Sequence, residues 1–285
     1  MYYLLLAILY PLSLLPLPVL YLLSDFAFVL LYYITGYRKQ VVLDNLTHAF
    51  PEKTEAELQQ IMRRFYRSFC DQWIETVKLL SITKKSLNKR VKGNWEVFEA
   101  LDRKGKNAYA LLGHTYNWEW ANVACQFNAP QQFAGFYQPV SNKAFDRLMM
   151  RMRSRGGGWL ISMKAIKEGF QRLQGVRHIV GMIADQNPGA PDVAMWLPFM
   201  HQEAPFFKGP EQMSRRAKGA VVFAGIKKVK RGHYQITLRE IWDDASVTTT
   251  GEITKAYVAF MERQLREQPE NWLWSHRRWK HKKKL

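Results

Sequence analysis

Beyond Lys92 the chain repeats one texture, and that repetition constrains the fold more than any other feature. Short apolar runs at 107–112, 132–137, 178–184, 220–226 and 234–240 alternate with amphipathic stretches at 118–127, 143–154, 162–173, 211–218 and 252–267. Runs this short suit buried strands, and the stretches between them carry apolar residues at helical spacing. Strand alternating with helix predicts an α/β fold, a mostly parallel central sheet flanked by helices. In such sheets functional residues gather where strands give way to loops at their carboxyl ends. Two residues able to do chemistry sit at such ends: His114 after the first run and Asp185 after the third.

The first 92 residues read differently. No charge occurs between positions 2 and 23, and the apolar run resumes over 26–35 after a lone Asp25. A secretory signal would have a basic start and a small-residue cleavage site, and this stretch has neither. Its length suits about one bilayer crossing of roughly 20 residues. Pro11, Pro16 and Pro18 favour a kinked or partly re-entrant insertion over one straight helix. Tyr32, Tyr33 and Tyr37, followed by Arg38 and Lys39, form an interfacial belt with positive flanks, which places the body of the protein in the cytoplasm. Residues 1–37 are thus expected to be an N-terminal hydrophobic membrane-anchoring helical segment, spanning or monotopic; a buried helical hairpin is the other reading.

Residues 38–92 are expected to be helical and to pack on the α/β domain that follows. Val41, Val42, Leu46 and Phe50 fall near helical spacing. Pro51 interrupts them, and Thr54 to Glu57 open a longer helix with a stripe of Met62, Phe65, Phe69, Trp73 and Val77. Arg63, Arg64 and Arg67 form a basic face, either solvated or touching lipid phosphates. Residues 93–285 make the α/β domain, with a basic tail from Lys280 to Lys284.

The net charge of +18 calls for an anionic partner: lipid, nucleic acid or acidic protein. Ten Trp, thirteen Tyr and sixteen Phe favour a membrane interface over nucleic acid. Cys70 and Cys125 offer neither a disulfide framework nor a metal-ligand cluster, and they read as small core residues of a reducing compartment. Gly156-Gly157-Gly158 lacks the lysine and spacing of a phosphate loop.

The sharpest local signal is Gly113-His114-Thr115-Tyr116-Asn117-Trp118-Glu119. A histidine can act as general base and a carboxylate can orient it. On one regular helix, positions five apart point about 140° away from each other. The pair therefore requires His114 on the turn and Glu119 in the first turn of the next helix, capped by Thr115 or Asn117. Otherwise His114 is a strand-end histidine and Glu119 a surface charge. Three segments accompany the motif. Phe136 to Asn142 leads into a helix with Arg147, Arg151, Arg153 and Arg155. Pro198 to Pro210 is a loop opening a helix. Pro269 to Lys280 interleaves aromatic and cationic residues.

Together these segments resemble the late acyltransferases of lipid A biosynthesis, the lauroyl and myristoyl transferases, within the lysophospholipid acyltransferase superfamily. His114 and Glu119 match the family's His-x4-Asp/Glu motif, and Phe206-Phe207-Lys208-Gly209 its loop entering a helix at glycine. Trp274 to Lys280 matches its terminal Trp-x-x-Arg-Arg-x-Lys, and Arg38 to Pro51 resembles a further family stretch. The texture is closer to the Bacteroidetes branch than to the enterobacterial one. Many members have Tyr-Arg-Pro where this chain has Tyr137-Gln138-Pro139, which bears on the acceptor more than on the reaction.

The resemblance implies a membrane-bound O-acyltransferase of the bacterial inner (cytoplasmic) membrane, its catalytic domain facing the cytoplasm. It would move a fatty acyl chain from acyl carrier protein to a hydroxyl of a lipid A precursor, with no cofactor and no metal. His114 would be the base, Glu119 its orienter, and backbone N–H groups at the start of the next helix the oxyanion donors. Arg151 and Arg153 are candidate phosphate contacts or a solvated helix face. Asp185 would orient an arginine or the acceptor, or simply lead a turn before Pro188. Gly209 follows from the loop match, and Arg277 and Arg278 suit a lipid headgroup. Another membrane lipid as acceptor, or a non-catalytic basic protein binding membrane or nucleic acid, are the competing readings.

Overall fold

The computed structural model describes residues 1–283; Lys284, the last cation of the expected tail, lies outside the described residues. The chain opens with α1 (Tyr2–Leu14) and α2 (Leu17–Val29), the latter prolonged by a π-helical turn, Leu30–Ile34. The break between them falls at Leu15 and Pro16, where proline's missing N–H and fixed φ end one helix and start the next. Then come α3 (Lys39–Ala49), α4 (Glu55–Lys78), α5 (Lys84–Arg90), β1 (Val91–Gly93) and α6 (Glu96–Arg103). The alternating part follows: β2 (Ala108–Leu112), α7 (Trp118–Asn128), β3 (Gln132–Tyr137), α8 (Lys143–Arg153), β4 (Trp159–Ser162), α9 (Ile166–Leu173) and β5 (His178–Ile183). A hairpin of β6 (Met195–Phe199) and β7 (Gln202–Phe206) precedes α10 (Gly209–Arg216), β8 (Ala220–Lys230), β9 (His233–Trp242) and α11 (Glu252–Glu267).

Seven strands form one sheet in the order β1-β9-β8-β2-β5-β3-β4. Every neighbouring pair is parallel except the β8–β9 hairpin. This is the expected mixed α/β architecture with a mostly parallel sheet flanked by helices. The five expected strands appear, β8 and β9 longer than foreseen. Two strands of the sheet, β1 and β4, were not expected: three and four residues are too few to show a period.

Side chains alternate across the sheet. Tyr109 and Leu111 of β2, Val180 and Met182 of β5 and Val221 and Phe223 of β8 join a core with Tyr257, Met261 and Leu265 of α11. Ala108, Ala110, Ile179, Ala220 and Val222 face the other way, towards Phe98 of α6 and Trp120 and Val123 of α7. Both thiols are buried, and burial pushes Cys70 and Cys125 up to about 12, as expected of unreactive core cysteines.

α4 departs from its predicted stripe. Its start is sealed by a capping box, Thr54 with Glu57, and Leu58, Met62 and Phe65 are buried. Further along, the inward face carries Asp71, Gln72, Glu75 and Thr76, all buried, while Trp73 is 47% exposed. The geometric stripe continues, but its chemistry turns polar. Glu75 accepts from the Tyr21 hydroxyl, the Tyr234 hydroxyl and the Asn117 amide, each at 2.7 Å. Asp71 accepts from Ser24 (2.7 Å), Lys228 (3.2 Å) and Arg231 (2.7 Å). Each buried charge thus has its donors, the condition for keeping it inside. Burial and the nearby Asp71 raise the Glu75 carboxyl above the ordinary carboxylate range.

Candidate active site

β2 and β5 are adjacent and parallel, with Leu112 level with Ile183. Two residues on, the chain leaves the sheet at His114 and at Asp185, so their positions at the carboxyl ends coincide. Asp185 Oδ1 lies 2.6 Å from His114 Nδ1, and Asp185 Oδ2 accepts the His114 backbone N–H at 2.8 Å. The same oxygen accepts the Trp272 indole N–H at 2.5 Å. Asp185 is fully buried. Burial by itself would raise its carboxyl. The imidazole and backbone of His114, with Trp272, outweigh that and hold it below the ordinary carboxylate range. An ionised Asp185 can only accept, so the bond selects the His114 tautomer with its proton on Nδ1 and the lone pair on Nε2.

Gly113 makes this close approach possible. A methyl there would stand 2.2 Å from Met261 Cε and 3.2 Å from Asp185 Oδ2. Tyr257, one turn earlier on α11, donates to the Leu112 carbonyl at 2.7 Å and fastens the end of β2.

Glu119 stands where the motif requires, in the first turn of α7, with Asn117 as cap through the Trp120 N–H (3.0 Å). It does not orient His114. Arg153 holds its carboxylate by Nε (3.0 and 3.1 Å) and Nη2 (2.6 Å), and the Trp118 indole N–H donates to it at 3.2 Å. Glu119 and Arg153 are 4% and 29% exposed at the side chain, so the fork closes in a largely dry setting where bidentate pairing is strong. Trp118 packs edge-on against the His114 ring, centroids 5.1 Å apart, and so stands between the two pairs. The expected His–Glu dyad is therefore two pairs, His114–Asp185 and Glu119–Arg153. Arg153 of α8 claims the Glu119 carboxylate, whereas strand adjacency brings 185 to 114. The expected oxyanion donors are narrowed too: the N–H groups of His114, Tyr116 and Trp120 are committed to Asp185, Asn271 and Asn117.

Arg151 reaches the Tyr2 hydroxyl of α1 at 3.3 Å. Gly209 begins α10 and is not among the groups hydrogen-bonded to His114, Asp185 or Glu119. Arg278 is not at a headgroup-facing surface. It is fully buried, donates to Asn187 Oδ1 (2.6 Å) and the Pro205 carbonyl (2.8 Å), and lies over the Phe206 ring at 4.4 Å. Burial pulls its guanidinium down to about 10, still cationic at neutral pH. Arg277 is exposed and lines a cleft of about 500 Å³ with Arg38, Asn187, His276 and Lys280.

Sequence reasoning missed Trp272 and Asn45. The segment after α11 passes behind the site: Thr115 pairs with Trp272, and Asn45 Nδ2 donates to the carbonyls of Trp274 (2.7 Å) and His276 (2.8 Å). The two resemblance stretches, Arg38–Pro51 and Trp274–Lys280, are one contact, made by side chains donating to backbone carbonyls, which no pattern of residue types announces.

No curated protein matches the chain. A family model described as bacterial lipid A biosynthesis acyltransferase matches residues 1–281, nearly the whole length of 285. With that match running from the apolar helices through the His114 turn to the segment that buries Arg278, the chain belongs to the bacterial lipid A biosynthesis acyltransferase family, and it is an acyl-transferring enzyme.

Proposed function

We propose that this enzyme is attached to the bacterial inner membrane, its catalytic domain facing the cytoplasm, and transfers a fatty acyl chain from an acyl-carrier-protein thioester to a hydroxyl of a lipid A precursor. The His114–Asp185 pair, fixed by two adjacent parallel strands, is the observation that carries this reading. His114 Nε2 takes the proton of the acceptor hydroxyl as its oxygen attacks the thioester carbonyl. The tetrahedral oxyanion collapses, the C–S bond breaks, and the imidazolium returns its proton to the departing thiolate. The products are an ester and the carrier thiol. Such base assistance is worth roughly 10²–10⁴-fold, and Asp185 both sets the tautomer and stabilises the imidazolium. The N–H groups of Trp118 and Glu119, at the first two positions of α7, have no intrahelical acceptor and supply donors for the oxyanion.

Arg153, oriented by Glu119, and Arg151 and Arg277 supply cations for the phosphates of donor or acceptor. Gln138 is uncharged, so that task falls to the helix behind it.

The test uses purified full-length enzyme, labelled acyl-carrier thioester and a lipid A precursor. His114→Ala is expected to lose at least about 10³-fold in kcat with membrane association intact, and Asp185→Asn about 10²–10⁴-fold. Full activity of His114→Ala would overturn the assignment. Mass spectrometry of lipids from cells with and without the protein names the acceptor: a missing acyl chain on lipid A supports this reading, and one missing from a glycerol- or amino-acid-based lipid replaces the acceptor.

A further inference from the structure

α2, with its π-helical continuation, is long and apolar enough to cross a membrane, yet it is laid along α4 for its whole length. Tyr21 bonds Glu75 and Ser24 bonds Asp71. The Arg67 guanidinium lies 5.2 Å from the Phe28 ring centre and that of Arg63 5.9 Å from that of Tyr33. Numbers rise along α2 as they fall along α4, the register of antiparallel neighbours. Asp25, in addition, is paired with Arg231 at 2.7 Å. A helix held this way cannot stand upright in hydrocarbon without drawing Arg63, Arg67 and Asp71 in with it, and uncompensated charge at that depth is strongly disfavoured.

α1 is fastened at both ends. Lys78 donates to the Ser13 and Leu15 carbonyls (2.7 and 2.9 Å), and Arg147 of α8 lies 4.3 Å from the Tyr2 ring centre. What both helices leave outward is apolar: Leu4, Ile8 and Leu14 on α1, and Leu22, Phe26 and Ile34 on α2 and its continuation, are all more than half exposed. Cations mark the edge of this face, each seated against an aromatic ring: Lys39 on Tyr32, Arg63 on Tyr33, Arg67 on Phe28 and Arg147 on Tyr2.

We propose that α1 and α2 lie in the plane of one leaflet of an anionic bilayer, outer faces among the acyl chains and edge cations at the lipid phosphates, so that neither helix crosses. The occupant follows from charge. A second copy of this chain, at +18, would press one cationic edge against another, whereas anionic headgroups complement it. α8, which holds Tyr2 through Arg147 and Arg151, also carries Arg153 of the Glu119 pair, so the leaflet and the site share a rigid element. The inference rests on the membrane-attachment part of the proposed function and is independent of acyl transfer.

The test places a fluorophore on single cysteines introduced as Val19→Cys, Phe26→Cys and Tyr33→Cys in the full-length protein, Cys70 and Cys125 being buried. The protein is added to preformed phosphatidylcholine vesicles with or without phosphatidylglycerol, and depth is read by nitroxide-lipid quenching. A flat helix gives three equal, shallow depths. A crossing helix spreads them over about 20 Å, at 1.5 Å per residue, and that spread would overturn the proposal. Leu22→Asp with Phe26→Asp is expected to abolish vesicle binding while keeping transfer to a detergent-dispersed acceptor. Arg63→Gln with Arg67→Gln should lower partition onto phosphatidylglycerol vesicles about 30-fold and leave binding to neutral ones unchanged. Labels shielded in a lipid-free dimer, with no vesicle binding, would also overturn it. Flat binding by a protein that transfers no acyl group would uphold this inference and sink the acyltransferase reading.

Discussion

The backbone N–H and the imidazole of His114 both end on one buried carboxylate, and Trp272 closes that carboxylate's remaining approach. Three donors on Asp185 make a rigid unit whose geometry depends on a glycine. In Gly113→Ala, Met261 can swing its flexible end away, but the 3.2 Å approach to Asp185 Oδ2 forces the carboxylate to shift by a few tenths of an ångström. We expect kcat to fall about tenfold or more, since misplacement of about 1 Å costs roughly 10²-fold, with only a small change in melting temperature. Steady-state kinetics beside a melting curve check this; equal kcat in the variant would show that the approach is not needed. Glu119 teaches the complementary point. Its spacing from His114 invited a dyad, but its bonds go to Arg153, whose side chain comes from another helix.

Among the elements, the segment after α11 decides how firmly the site is held. It has little regular secondary structure of its own, and its carbonyls are satisfied by Asn45 of α3, by Asn187 beyond β5 and by Arg38. Asn45→Ala would leave two carbonyls at a 6%-exposed side chain without their donor, at a cost of about 1–3 kcal/mol. Because Trp272 belongs to the same strap, the variant should also loosen Asp185. The expected outcome is a lower melting temperature together with a kcat loss still present well below it. A stability loss without any kinetic effect would show that the strap supports the fold and not the site. The strap reads in the sequence as an aromatic and basic tail, and its family likeness was legible. That Arg278 would be buried under Phe206 was not, because a cation beside tryptophans is equally compatible with a lipid surface and with an interior carbonyl cage.

At the scale of the whole molecule, buried titrating groups bear on how the fold responds to acid. Burial pulls the His276 imidazole from 6.5 to about 4, and its Nε2 accepts the Asn187 N–H at 3.4 Å. Between those pH values the folded protein keeps His276 neutral while the unfolded chain binds the proton, so stability falls as pH drops from 6.5 towards 4. His276→Gln should soften that fall, measured as melting temperature against pH; an unchanged profile would assign the acid response elsewhere. The same molecule divides cleanly between what local pattern determines and what packing decides. Sequence alone determined the alternating strands and helices, a proline-interrupted apolar start, a cap at Thr115 or Asn117, the His114 turn and the family likeness, because each depends on period, backbone chemistry or composition within a few residues; the structure chose Pro16 and Asn117. It also showed that His114 and Asp185 both follow strands. Tertiary structure alone decided that β2 lies beside β5, and with that which carboxylate meets His114. It turned the inner face of α4 polar and laid α2 flat along it, since strand order and the partners of a buried charge are set by residues distant in the chain.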